Sequence, residues 1–162
     1  MSCRAALLAL SLASLPATAA AAVPQSATAS AASADALATV SERSGFQRTG
    51  RYEEVGRLAA AFQARHPDRV RALEFGTTPE GRPMQLLVVT ATGVFDPAEA
   101  RRRGLPVVLI QGGIHAGEID GKDAGFLALR QVLAGQAAPG ALDKVVWLFV
   151  PVFNVDGHER FG

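Results

Sequence analysis

The chain has 162 residues, room for one ordinary domain and little more. It is 49% hydrophobic and 19% charged, with 16 glycines; that composition is globular and excludes a disordered, collagen-like or membrane-embedded chain. Sixteen Lys and Arg against fifteen Asp and Glu leave a formal charge of +1, so no nucleic-acid or anionic-membrane partner is indicated.

Residues 1–22 carry a basic start at Arg4, an apolar run from Ala5 to Leu15, the breaker Pro16, and small residues at Ala17-Thr18-Ala19 and Ala20-Ala21-Ala22. This is the order of a secretory signal peptide with an Ala-x-Ala cleavage site, and the run is too short to span a bilayer. A secreted or periplasmic protein is expected, with no integral membrane span once the signal is removed. Cys3 lies within that segment, so the mature chain contains no cysteine and must be held by its core or by a metal. Residues 23–45, rich in Ala, Ser and Thr, read as a flexible lead-in. The globular domain is expected over 46–162, with Thr49 as a helix N-cap.

Tyr52, Val55, Leu58, Ala59 and Phe62 recur at helical spacing and predict an amphipathic helix that closes at His66, before Pro67. Val70 to Phe75 and Met84 to Thr90 are strand-like runs separated by turn formers Pro79 and Gly81, a predicted hairpin. Arg101-Arg102-Arg103-Gly104 reads as a solvated loop. Val107 to Ile110 is a continuous apolar run suited to a strand buried on both faces, and it ends at Gly112-Gly113. A helix is predicted from Glu118 to Leu133, then a second buried strand over Val145 to Val150. Strand, helix, strand with a crossover of this length implies a parallel pair in an α/β sheet. Ligands of such sheets gather at the carboxyl ends of the strands, where Gly112 to Glu118 and Asn154 to His158 fall.

Absences narrow the chemistry. No serine follows Ser44 and no cysteine survives signal removal, so the domain offers neither a Ser nor a Cys nucleophile. Gly121-Lys122 resembles part of a phosphate loop, but Ala116 and Asp123 stand where that pattern needs Gly and Ser or Thr. What remains is His115-Ala116-Gly117-Glu118. A His and a carboxylate three positions apart at a strand-to-helix turn are able to converge on one ion. Imidazole nitrogen with carboxylate oxygen suits zinc, whose catalytic sites take three protein ligands and keep one position open; the pair supplies two. A His in a turn also commonly bonds locally, with no metal. Asp120 and Asp123 place negative charge where the helix dipole favours it, with orientation of His115 as their alternative role.

Three stretches together resemble the zinc carboxypeptidases of the carboxypeptidase A type. They are His66-Pro67-Asp68-Arg69-Val70 with Gly76 to Pro83, the block Gly112-Gly113-Ile114-His115-Ala116-Gly117-Glu118, and Asn154-Val155-Asp156-Gly157, in which Val155 replaces the family's usual proline. The resemblance implies a mixed α/β sheet with helices on both faces, truncated after about four strands, and a metallopeptidase acting on peptide substrates. It implies zinc as cofactor, His115 and Glu118 as two of its ligands, and a substrate-facing Asn154. It also places the third ligand, the general-base glutamate and the substrate-holding arginine and tyrosine downstream of Gly162. On that basis the isolated chain is expected to be marginally stable, aggregation-prone and inactive. His158 follows Asn154 too closely to be the third ligand and reads as a surface or subsite residue; His66 reads as a helix cap, and Tyr52 does not match the family's tyrosine. Two alternatives stand beside this one: an amidohydrolase of the aspartoacylase and succinylglutamate desuccinylase type, which has a similar zinc loop, and a non-catalytic exported binding module.

Overall fold

A computed structural model describes residues 36–160. The leader expected at 1–22, with Cys3, and most of the lead-in expected over 23–45 lie outside the described residues. Helix α1 (Val40–Arg43) sits inside that lead-in stretch. Its order comes from a capping box: Thr39 Oγ1 accepts from the Glu42 amide at 3.0 Å, and Glu42 Oε2 accepts from the Thr39 amide at 3.0 Å. Arg130 pairs with the Glu42 carboxylate and ties α1 to a later helix.

Helix α2 (Glu53–Arg65) is the predicted amphipathic helix, burying Val55, Leu58, Ala59 and Phe62. His66 is its C-cap, as expected. Thr49 is not the N-cap; Tyr52 holds that position without a side-chain cap bond, and the Thr49 hydroxyl instead donates to Asp123 Oδ2 at 2.7 Å. Strands β1 (Val70–Thr77) and β2 (Pro83–Val89) form the predicted antiparallel hairpin, with a register shift between Glu74 and Gly76.

The arginine run is not a loop throughout. It ends helix α3 (Pro97–Arg102), started by Asp96, whose Oδ1 accepts from the Glu99 amide at 2.8 Å, and by Pro97 in the first turn. Arg101 and Arg102 thus occupy the last turn, where the helix dipole favours cations. Strand β3 (Val107–Gln111), helix α4 (Asp120–Leu133), strand β4 (Val146–Val150) and helix α5 (Val155–Glu159) complete the order.

The four strands form one mixed sheet in the order β1-β2-β4-β3, with β2 antiparallel to β4 and β3 parallel to β4. On one face, Leu87, Val89 and Phe149 pack with Val55, Leu58 and Phe62 of α2 and Phe126, Leu129 and Leu133 of α4. The three phenylalanines form a chain of rings: Phe62 stacks on Phe126 at 5.8 Å between centroids, and Phe126 meets Phe149 edge-on at 5.3 Å. Gly125 lets α4 come this close, since a Cβ there would lie 2.4 Å from Phe149 Cζ. On the opposite face, Val88 and Val146 pack with Val94 and with Ala100 of α3. Helices therefore cover both faces, as the mixed α/β expectation requires.

The expected burial of β3 on both faces is not found. Val107, Val108 and Leu109 are 53%, 42% and 60% exposed, because among the described residues β3 has a ladder partner on one side only. The result is an apolar edge strand in water, which invites pairing with other chains.

Candidate functional site

The carboxyl end of β3 is fastened to the carboxyl end of β4 through backbone groups. The Gly112 amide donates to the Val150 carbonyl at 2.9 Å, while the Phe153 and Asn154 amides donate to the carbonyls of Gly112 and Gly113 at 3.0 and 2.7 Å. Glycine is required here for space: a Cβ on Gly112 would stand 2.7 Å from the Pro151 carbonyl oxygen. Gly113 has φ of 58°, and a Cβ there would press on Val152 at 3.0 Å.

From this base the chain makes an exposed turn. Helix α4 begins at Asp120, not at Glu118 as the periodicity predicts, so His115 and Glu118 meet across a turn instead of a helical face. The Glu118 amide donates to the His115 carbonyl at 3.2 Å and closes it. One carboxylate then grips one residue twice, with Oε2 accepting from the His115 amide at 3.0 Å and Oε1 lying 2.7 Å from His115 Nδ1. The His115 backbone bond, and then its ring, hold the Glu118 carboxyl below the usual carboxylate range. The side chains are 80% and 52% exposed. The imidazole and the carboxylate thus bond to each other at the exposed surface. Among the described residues no cluster of three or more His, Cys, Asp or Glu could hold a metal.

The chain matches the model of the zinc carboxypeptidase family over residues 55–162, two-thirds of its length, which includes this turn. The chain belongs to the zinc carboxypeptidase family. It is 37% identical over 98 residues to an inactive metallocarboxypeptidase of Schizosaccharomyces pombe, a match covering 58% of this chain and 20% of that protein. It is 27% identical over 95 residues to carboxypeptidase B of Helicoverpa zea, covering 59% and 21%. The crystal structure of carboxypeptidase A from Helicoverpa armigera shares the fold, with a TM-score of 0.58 and 24% identity over 80% of this chain and 30% of that one. A metallo-carboxypeptidase from Burkholderia cenocepacia gives 0.52 and 27%, over 68% and 29%. The chain spans about a fifth of the curated relatives it matches.

Other residues around the turn have structural work. Asn154 caps α5, its Oδ1 accepting from the Gly157 amide at 3.0 Å, and it lines a cleft of about 320 Å³ with Ile114 and Phe153. Asp120 is exposed in the first turn of α4. Asp123 turns to Thr49 and Lys122, away from any role in orienting His115. His158 is not a surface residue: it is 3% exposed, on a helix whose Glu159 accepts from Arg51 at 3.0 Å and from the Tyr52 amide at 2.7 Å and so lies against the start of α2. Burial, with the Lys122 charge adding to it, lowers its pKa.

Two residues whose structural roles the sequence reading did not assign organise the surroundings. Asp156 accepts from the Thr78 hydroxyl at 2.8 Å and pairs with Arg82 at 2.6 Å, pinning the hairpin tip to α5. Lys122 is wholly buried beside Glu54. The turn residues around Thr78 hinted at the first through their hydrogen-bonding side chains; no local pattern marks the second.

Proposed function

We propose that this chain carries the His115 and Glu118 half of a zinc site in an exported metallocarboxypeptidase that hydrolyses peptides. The observation that carries the reading is the 2.7 Å approach of His115 Nδ1 and Glu118 Oε1 at the carboxyl end of β3, in a chain of the zinc carboxypeptidase family. The donor set suits zinc, and both side chains are exposed enough to part around an ion without repacking the core. Bound zinc would supply Lewis acidity to a peptide carbonyl and lower the pKa of a water. The His115 amide, and then its ring, favour the charged form of Glu118, and Gly112 and Gly113 keep the turn at the strand end. A third ligand and a general base are expected beyond Gly162, and Asn154 is assigned to the substrate side of the adjoining cleft. The family match favours this reading over an aspartoacylase-type amidohydrolase.

Export is part of the same proposal. It rests on the leader-like order of residues 1–22; among the described residues no helix is long and apolar enough to cross a membrane.

The test is the zinc content of the longest natural form of the protein, which would carry the third ligand, after metal loading and desalting. About one equivalent of zinc is expected, lost in both His115→Ala and Glu118→Gln. Unchanged zinc in those variants would sink the assignment. A second reading has one observation behind it: the relative at 37% identity is named inactive, so a fold that binds without turnover is the competitor. Release of C-terminal residues from a peptide panel by the longest natural form of the protein separates the two, since zinc without hydrolysis supports the binding module.

A further inference from the structure

Lys122 is one of two lysines in the chain, and it is 0% exposed. Its Nζ donates to the Gly50 carbonyl at 2.9 Å and to Glu54 Oε2 at 3.1 Å, and Asp123 Oδ1 lies 3.1 Å away. Asp123 Oδ2 in turn accepts from the Thr49 hydroxyl. Burying charges is a poor route to stability, because desolvation offsets most of the attraction and an apolar residue of similar size commonly does as well. What a bonded ammonium adds over an apolar contact is direction. It fixes the first turn of α4 against named atoms of the segment leading into α2.

That first turn needs fixing. Ile119, at the N-cap of α4, makes no side-chain cap bond, so no side-chain cap fixes where the helix starts. Two contacts do so instead: the Lys122 cluster and the close packing of Gly121 on Gly112, where a Cβ on Gly121 would come within 3.2 Å of Gly112 Cα. The exposed stretch from Ile114 to Glu118 therefore hangs between two anchors. One is Gly112-Gly113, bonded to the backbones of Val150, Phe153 and Asn154; the other is Gly121 to Asp123. We infer that Lys122, through Glu54, Asp123 and Gly50, is a positioning residue for the His115–Glu118 turn and sets its affinity for a divalent metal. The inference rests on the metal reading proposed above.

The experiment titrates the longest natural form of the protein with zinc against a chromophoric chelator, records the cobalt(II) absorption spectrum, and follows the amide resonances of residues 115–118. Lys122→Met/Glu54→Gln removes one buried charge of each sign. It is expected to weaken zinc binding by about tenfold, the lower end for lost outer-shell partners, and to alter the cobalt spectrum while the near-ultraviolet signal of Trp147 persists. A merely structural role leaves the cobalt spectrum of a folded variant unchanged. Thr49→Val, which deletes one hydrogen bond of the cluster and leaves no buried charge unpaired, shifts both readouts in the same direction. Zinc binding within about twofold of the parent, well short of that outer-shell effect, with an unaltered cobalt spectrum, overturns the inference. If the double variant does not fold, the same result in Thr49→Val overturns it. His115→Ala is run alongside. Loss of zinc there with no change in the cluster variants removes this inference alone; unchanged zinc there removes the metal reading and this inference together.

Discussion

The Thr78 hydroxyl and the Asp156 carboxylate meet at 2.8 Å across 78 positions of chain. This bond joins the tip of the β1–β2 hairpin to the start of α5, and Arg82 reinforces it from the hairpin side. Burial raises the Asp156 pKa, but the bonds from Thr78 and Arg82 outweigh it and leave the carboxyl below its usual range. Asp156→Ala is expected to release the hairpin tip: amide hydrogen exchange at Gly81 and Arg82 speeds up, while exchange in β4 does not. Equal acceleration in both segments would show that the bond holds more than the tip.

Gly112 tests the packing beneath the His115–Glu118 turn. A methyl group there meets the Pro151 carbonyl at 2.7 Å and the Gly121 backbone at 3.1 Å, neither of which yields as a flexible side chain would. Gly112→Ala is expected to destabilise the chain by about 2 kcal/mol through overpacking, read from the urea midpoint. A change below about 0.5 kcal/mol, the size of an ordinary surface substitution, would mean that the α4 start moves freely.

Acid sensitivity follows from His158 and His66. Burial lowers both pKa values; for His158 the Lys122 charge adds to it, and for His66 the charges of Arg65 and Arg69 do. The unfolded chain then takes up protons that the folded chain refuses, starting near the ordinary value of about 6.5. Stability is full above that pH and falls as pH drops through it toward the folded values. Urea midpoints at pH 7.5 and 5.5 should therefore differ, with the lower midpoint at 5.5, and His158→Gln should shrink the difference. A higher midpoint at 5.5 would reverse the sign of the argument.

The apolar edge of β3 makes self-association the expected behaviour of the purified chain. Leu109, at 60% exposure, is the place to interrupt it, since a charge on an edge strand opposes strand addition. Leu109→Lys is expected to lower light scattering at matched concentration. Scattering that stays the same would move the sticky surface elsewhere, for example to Leu73 and Phe75 of β1, themselves 47% and 44% exposed.

Much of this was legible from local pattern. Val55, Leu58 and Phe62 repeat with the helix, Pro79 and Gly81 mark the hairpin, and the apolar runs at 107 and 146 sit either side of one helix-length segment, which is enough for a parallel pair. The His115 and Glu118 pairing was also legible, although by a turn and not by helical spacing. Helices α1 and α3 were missed although Thr39 with Glu42 and Asp96 with Pro97 are start signals; both are short, and their Ala-rich or Arg-rich surroundings dominate composition. Burial of Lys122 and His158 could not be read, because it depends on Gly50 and Glu54, which lie 72 and 68 positions from Lys122. The exposure of β3 depends on which neighbours a sheet has, and no strand's own residues encode that.

The strand order β1-β2-β4-β3 also sets a timetable. The hairpin pairs residues close in sequence, but β3 emerges some forty residues before β4, its ladder partner. β2 likewise waits for β4, pairing Leu87 with Phe149. The ribosome would thus handle a nascent chain whose sheet centre closes late, after position 150, and the turn bearing His115 would take its place only once that closing strand has arrived.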